Sequence, residues 1–283
     1  MSIFLSGVSK LFHRRWLYGL MSVVMAASLI LITPTPSYAR NRLLDLIFRG
    51  VQVIQLNNMS DRQEVALGRQ VNDQLMGRQF RAYRNSSITE YVDDIGQRLV
   101  PTSDRPDIPY VFQVVDDRQV NAFATLGGYV YVTTGLIRTA DNEAQLAGVI
   151  GHEIGHVAAR HVVRRMSEQA IQQGVASATG LDRNTAVAIG VELAINRPNS
   201  RENEFEADEL GLRNVTRAGY APSAVAAFMT KLQGQSSVPT FLSTHPNASA
   251  RVERLNQMVD PATANVGDGL DIEAYRNRIR ALL

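Results

Sequence analysis

His152-Glu153-Ile154-Gly155-His156 is the stretch of this chain best suited to chemistry. Residues four apart share one face of an α-helix, so both imidazoles can reach one metal ion. The glutamate beside the first histidine can reach a water bound to that ion. Two neutral nitrogens, one carboxylate and one open position suit catalytic zinc. Histidine is scarce, 5 in 283 residues, and chance placement yields only about 0.004 such patterns, so the spacing carries information.

Two histidines do not hold a catalytic zinc, and a third protein ligand is required. The chain has no cysteine, which excludes disulfides and thiolate ligation alike. Any metal must be held by His, Asp or Glu. Candidates cluster between Ser200 and Gly211. An acidic run of this kind ordinarily reads as a solvated face. Here Glu204 and Asp208 are four apart and share a face. Glu204 can bind the metal while Asp208 accepts the other N–H of a ligand histidine. Ala207 and Gly211 are small, so this helix can approach the motif helix closely. Glu202 and Glu206 point elsewhere and read as solvent or ion-pair residues. Pro246 keeps His245 out of helical geometry. His161 lies five residues past His156, about 140° around a continuous helix, and reads as structural.

The elements that must position these residues follow from pattern and caps. Ser60-Asp61-Arg62-Gln63 is a capping box that opens a helix, and Ser87-Ile88-Thr89-Glu90 is a second one. Ile108–Val115, Asn121–Thr125 and Tyr129–Thr133 read as strands, the last two as a hairpin around Gly127-Gly128. A single motif helix is expected over 142–165. Ala186–Ile195 is too short to span a membrane and reads as a buried helix. Ser200 caps a helix over 201–218 that stops at Gly219. Pro222 and Pro246 each open a further helix, the second with Val252, Leu255 and Val259 inward. Residues 261–269 read as a linker and 271–283 as a short tail helix.

The first 39 residues have the form of an export signal. Lys10, Arg14 and Arg15 precede an apolar run from Leu20 to Ile32, and Ser37-Tyr38-Ala39 ends it with small residues. The mature chain is then expected to start at Arg40. An uncleaved anchor is the alternative, because Trp16-Leu17-Tyr18 lengthens the apolar run. Removing this segment takes three of the 29 bases and none of the 27 acids, so the net charge falls from +2 to −1. A near-neutral chain offers no electrostatic case for nucleic acid. Residues 40–59 are apolar but irregular; packing on the domain is the favoured reading, and lying on a membrane surface is the other.

Four motifs in order give the chain a resemblance. Asn121-Ala122-Phe123-Ala124, His152 to His156, Ser200-Arg201 with Glu204-Phe205-Glu206-Ala207-Asp208, and His245-Pro246 with Arg251 are similar to those of one gluzincin group. That group includes the CAAX prenyl proteases, the HtpX heat-shock proteases and the periplasmic protease-chaperone BepA. The similarity spans residues 60–260. It implies an α+β fold, a mostly helical zincin-type metallopeptidase domain with a small β-sheet beside the motif helix. It also implies one Zn2+ per chain on His152, His156 and Glu204, with Glu153 as catalytic base and Asp208 behind a ligand histidine. Asn121, Ala122, Phe123 and Ala124 would form the edge strand that takes substrate. His245 would lie near the zinc, either donating to the oxyanion or filling the open zinc position at rest; we take the second. Arg251 would hold that loop or contact substrate.

The expected activity is zinc-dependent endoproteolysis of unfolded or damaged envelope proteins. The expected place is the periplasm, or otherwise beyond the cytoplasmic membrane, with peripheral membrane association allowed by residues 40–59. The expected layout is a signal over 1–39, an apolar segment over 40–59, the peptidase domain over 60–260, and linker plus tail helix over 261–283. No counterpart is expected for the membrane spans of the prenyl and HtpX branches, nor, with 23 residues after 260, for the helical repeats of BepA. Substrate classes therefore do not transfer. Two competing readings are a chaperone-like binding protein that keeps the fold without catalysis, and a structural zinc protein. A lapsed enzyme would tolerate loss of His152, Glu153, His156, Glu204 or Asp208, and all five are present.

Overall fold

The computed structural model describes residues 53–174, 180–196 and 198–283. The expected signal over 1–39 and the stretch 40–52 of the apolar segment lie outside the described residues. What is described of that segment joins the domain. Strand β1 (Val53–Ile54) pairs antiparallel with β5 (Leu181–Asp182), and Leu56 and Met59 are buried in the core.

Helix α1 (Asp61–Gln74) opens on the capping box expected at Ser60, with both reciprocal hydrogen bonds formed. Helix α2 (Ser86–Leu99) starts earlier than its expected cap. Asn85 accepts from the Ile88 amide, so an equally good capping residue placed first takes the role from Ser87. A three-stranded sheet follows, formed by β2 (Val111–Val115), β3 (Ala122–Ala124) and β4 (Tyr129–Thr133) in the order β2-β4-β3. β2 runs parallel to β4, and β3 runs antiparallel to it as the edge strand. β2 begins three residues later than expected, after Pro109, which has no N–H to give a ladder. Gly127 and Gly128 turn the hairpin at φ +69° and +90°, values that a side chain would strain.

Strand alternation divides the interior in two. Phe112, Val114, Ala122, Val130 and Val132 face one core; Phe123 and Tyr131 face the other and stack at 4.5 Å. The first core holds α2, α3 (Thr134–Thr139), α4 (Glu143–Ala158), α8 (Ser223–Gln233) and α11 (Ile272–Arg278). The second holds α1, α5 (His161–Gln172) and α6 (Arg183–Asn196). Between α6 and α8 runs α7 (Arg201–Arg217); α9 (Thr240–Thr244) and α10 (Ala248–Met258) follow α8. Tyr275, Ile279 and Leu282 from the C-terminal residues pack in the first core. The domain is α+β and mostly helical, with the small sheet beside the motif helix, as expected. No helix among the described residues is long and apolar enough to cross a membrane.

The expected helix over 142–165 is two helices. α4 stops at Ala158, and Arg160 adopts a left-handed conformation (φ +55°) before α5 begins at His161. That conformation costs a non-glycine residue about 1–2 kcal/mol. Contacts from distant segments offset it: Arg160 Nη2 donates to the Met59 carbonyl at 2.7 Å, and its Nε lies 3.0 Å from the buried Glu64. Neither contact is visible in the local sequence. The helix that follows Pro246 likewise starts two residues later than expected, behind Asn247 at φ +65°.

Helix α4 is buried on all sides from Ala144 to Val157, and its closest neighbour is α7. Their backbones touch where small residues meet. A Cβ on Gly155 would lie 2.7 Å from the Ala207 carbonyl oxygen, and one on Gly211 would lie 2.8 Å from the His152 amide nitrogen. Gly211→Ala is therefore expected to push the helices apart and lower stability by about 1–3 kcal/mol. Urea denaturation measures this. A midpoint equal to that of the unaltered protein would show that the two helices are free to separate.

Candidate metal centre

α4 carries His152, Glu153 and His156, α7 carries Glu204 and Asp208, and His245 directly follows α9. All six are buried. One turn of helix separates the two motif histidines, whose rings meet edge to face with Nε2 atoms 3.0 Å apart. Glu204 reaches across from α7, with Oε2 3.3 Å from His152 Nε2 and Oε1 3.3 Å from His156 Nε2. His245 closes the group from a fourth side. Its Nδ1 lies 3.2 Å from both Glu204 oxygens and 3.3 Å from His152 Nε2. Donors bound about 2.0–2.1 Å from a tetrahedral ion stand about 3.3 Å from one another. The donor types and these separations fit a metal ion.

Charge points the same way. Glu153, Glu204 and Asp208 bring three carboxylates into one buried volume, against a single guanidinium from Arg251. A divalent cation would balance the remainder. Burial and Arg251 both oppose a proton on His152, yet its hydrogen bonds to Asp208 and Glu204 prevail and raise its pKa to about 9. Burial drives His156 well below the usual imidazole range. Burial also works against the Glu204 carboxylate, but His245 and His156 hold it ionised well below the usual range. For Glu153 burial wins and raises the carboxyl.

The supporting contacts are specific. Asp208 Oδ1 lies 2.9 Å from His152 Nδ1, the position expected of an acceptor behind a candidate ligand. Arg251 donates to both Asp208 oxygens at 2.7 Å, pairs with Glu204 Oε2 at 2.7 Å and donates to the His245 carbonyl at 3.2 Å. It is 1% exposed, and its bond to the His245 carbonyl ties it to that loop. The loop itself is better anchored than its sequence suggests. The Phe241 amide donates to the Val120 carbonyl, and the Asn199 amide donates to the Thr244 carbonyl.

β3 lies beside this group. Asn121 and Thr125 bond to β4 through their backbones, so Ala122 and Ala124 direct theirs away from the sheet. His245 Nε2 is 3.3 Å from the Ala122 carbonyl oxygen. A cleft runs from Glu153 and His156 along Asn121, Phe123 and Ala124 to Val162 and Leu193.

His161 and Glu206 hold places that their sequence positions do not reveal. With the helix broken at Arg160, His161 turns back towards the site. Its Nδ1 is 2.6 Å from His156 Nδ1 and its Nε2 is 3.1 Å from Glu206. The angle that separates the two histidines on one continuous helix does not apply. Glu206 also pairs with Arg164 at 2.8 Å, as an ion-pair residue should.

A sequence profile of peptidase family M48 matches residues 86–259, which is more than half of the chain. The chain belongs to peptidase family M48. The matched span includes the motif helix, α7 and the His245–Arg251 segment. A beta-barrel assembly-enhancing protease of Yersinia pestis is 35% identical over 205 residues, covering 65% of this chain and 42% of that protein. The protein of the same name from Escherichia coli K12 is 33% identical over 199 residues, covering 60% and 39%. The mitochondrial metalloendopeptidase OMA1 of Arabidopsis thaliana is 36% identical over 163 residues, covering 55% and 33%. The chain thus spans about two fifths or less of the length of these curated relatives. Family membership bears out the resemblance carried by the four motifs and the expectation of a metallopeptidase.

Among the described residues, Arg251 is the one guanidinium or ammonium that pairs with Asp208 and Glu204. Arg251→Leu would leave both carboxylates buried without it. The metal-free protein should lose about 3–5 kcal/mol, the usual cost of breaking a buried pair from one side. Urea denaturation with a chelator present measures this, and a loss below about 1 kcal/mol would show that the carboxylates do not depend on Arg251.

Proposed function

We propose that this chain is a zinc endopeptidase that cuts unfolded or damaged polypeptides of the cell envelope after export. The observation that carries the reading is Glu153. Both of its carboxylate oxygens are buried without a hydrogen-bond partner among the described residues, and the nearest ring nitrogen, His245 Nε2, is 3.5 Å away. An unpartnered buried carboxylate is costly. One kept beside a four-donor metal cradle is suited to take a proton from a reacting water.

The donor set favours zinc. Three imidazoles and one carboxylate at tetrahedral spacing suit it better than the oxygen-seeking magnesium or calcium. When bound, zinc lowers the pKa of a coordinated water towards about 7 and polarises a carbonyl. Glu153 accepts the water's proton and later passes it to the leaving amine. Asp208 fixes the ring of His152. The outward backbone groups of Ala122 and Ala124 can pair with an extended substrate, which adds to the sheet as a further strand.

His245 occupies the fourth corner, where the attacking water would bind. We read it as a resting plug that leaves when substrate arrives. The alternative role, donation to the oxyanion, needs Nε2 to face the reacting carbonyl, whereas Nε2 lies against the Ala122 carbonyl here. The form of residues 1–39 supports export, and the apolar segment before residue 60 allows association with a membrane surface. The reading involves no nucleic acid.

Glu153→Gln should retain its zinc and lose casein hydrolysis by at least about 10²-fold, the contribution of a positioned base. Cleavage at the unaltered rate, or loss of zinc, would remove Glu153 from this role. His245→Ala should raise basal cleavage of a model peptide with zinc content unchanged. A fall of about 10²–10³-fold would instead make it a main oxyanion donor.

A further inference from the structure

Each ligand histidine must present one bare nitrogen to the metal, so its other nitrogen carries hydrogen and needs an acceptor. For His152 that acceptor is Asp208. For His156 it is another imidazole, and the arrangement leaves little freedom. His156 Nδ1 and His161 Nδ1 are 2.6 Å apart, close enough to share one hydrogen but not two. With His156 Nε2 facing the other metal donors, the shared hydrogen belongs to His156 Nδ1. His161 then accepts at Nδ1, is neutral, and carries its own hydrogen on Nε2. That nitrogen faces Glu206 Oε2 at 3.1 Å, and Arg164 Nη2 holds the same oxygen at 2.8 Å.

We propose that His161 and Glu206 are positioning residues for the metal. A neutral imidazole relays a surface carboxylate to His156, fixes its tautomer and ring orientation, and strengthens its bond to zinc. The proposal rests on the reading of His156 as a ligand. The two motif histidines are thereby served unequally. His152 has a buried carboxylate in direct contact. His156 has one at second hand, on a side chain 47% exposed. Charge on Glu206 is therefore screened by salt, whereas charge on Asp208 is shielded from it.

A packing role for His161 would require only shape. It is completely buried at the start of α5, so shape and hydrogen bonding must be separated. His161→Leu keeps an apolar volume and offers no acceptor. His161→Gln restores an acceptor and a donor. Glu206→Ala removes the far end and leaves the imidazole in place.

The test is zinc affinity of the full chain, measured by competition with a chelating dye, with His156→Ala as control and circular dichroism to check folding. His161→Leu should bind zinc about 10–100-fold more weakly, the usual effect of losing a partner behind a ligand. His161→Gln should recover most of that loss. Glu206→Ala should weaken binding by a smaller factor that shrinks as salt is raised. Nitrogen-15 spectra of the zinc-loaded protein should show His161 protonated at Nε2, with a strongly downfield His156 Nδ1–H signal. If His161→Leu does not fold, Glu206→Ala and the spectra of the unaltered chain still decide. His161 protonated at Nδ1, or affinity indifferent to Glu206, overturns the relay. An unaltered chain that takes no zinc overturns the ligand reading and the relay together. Tight binding whatever stands at 161 and 206 overturns the relay alone.

Discussion

The backbone contact between α4 and α7 is the constraint on which the site depends. A glutamate side chain is short, and Glu204 meets both His152 and His156 at 3.3 Å only because the two helices nearly touch. Gly155, Ala207 and Gly211 make that approach feasible by having little or nothing beyond the backbone. The same approach brings Asp208 against His152, one turn further along α7. Two residues of chemistry on one helix and three on the other are thus fixed by a single line of small ones.

Close approach concentrates negative charge in a buried volume, and the rest of the local structure answers that. Arg251 from α10 spans both α7 carboxylates and also holds the His245 carbonyl. One guanidinium therefore links the charge of the site to the position of the loop at its fourth corner. Arg160 plays a comparable role just past the motif, where its contacts to Met59 and Glu64 hold the break that brings His161 back.

Much of this was legible in the sequence, for physical reasons. The helices that carry the candidate ligands at i and i+4, the caps at Ser60 and Ser200, and the small faces at Ala207 and Gly211 are local codes, and the structure follows them. The family resemblance added the edge strand and the His245 loop. The end of α4 was not legible. Ala158-Ala159-Arg160 contains no glycine, asparagine or proline, and the left-handed residue is held by contacts about a hundred residues away in the chain. The place of His161 was missed as a direct result, since an angle around an unbroken helix was the wrong ruler. Arg251 presented a different difficulty. Its sequence position fits a surface helix, and only the folded chain shows that it is buried against two carboxylates.

The edge strand is only three residues long, and only Ala122 and Ala124 turn their backbone groups outward. On the reading given above, a polypeptide docking there is gripped mainly through its own main chain, by partners whose side chains are single methyl groups. Such a grip is nearly blind to sequence. What it demands is a stretch of substrate with its amides and carbonyls unspoken for, and segments already paired inside a native sheet or helix cannot offer them. Selectivity would then follow the folding state of the client, and a short edge becomes a gauge of local unfolding.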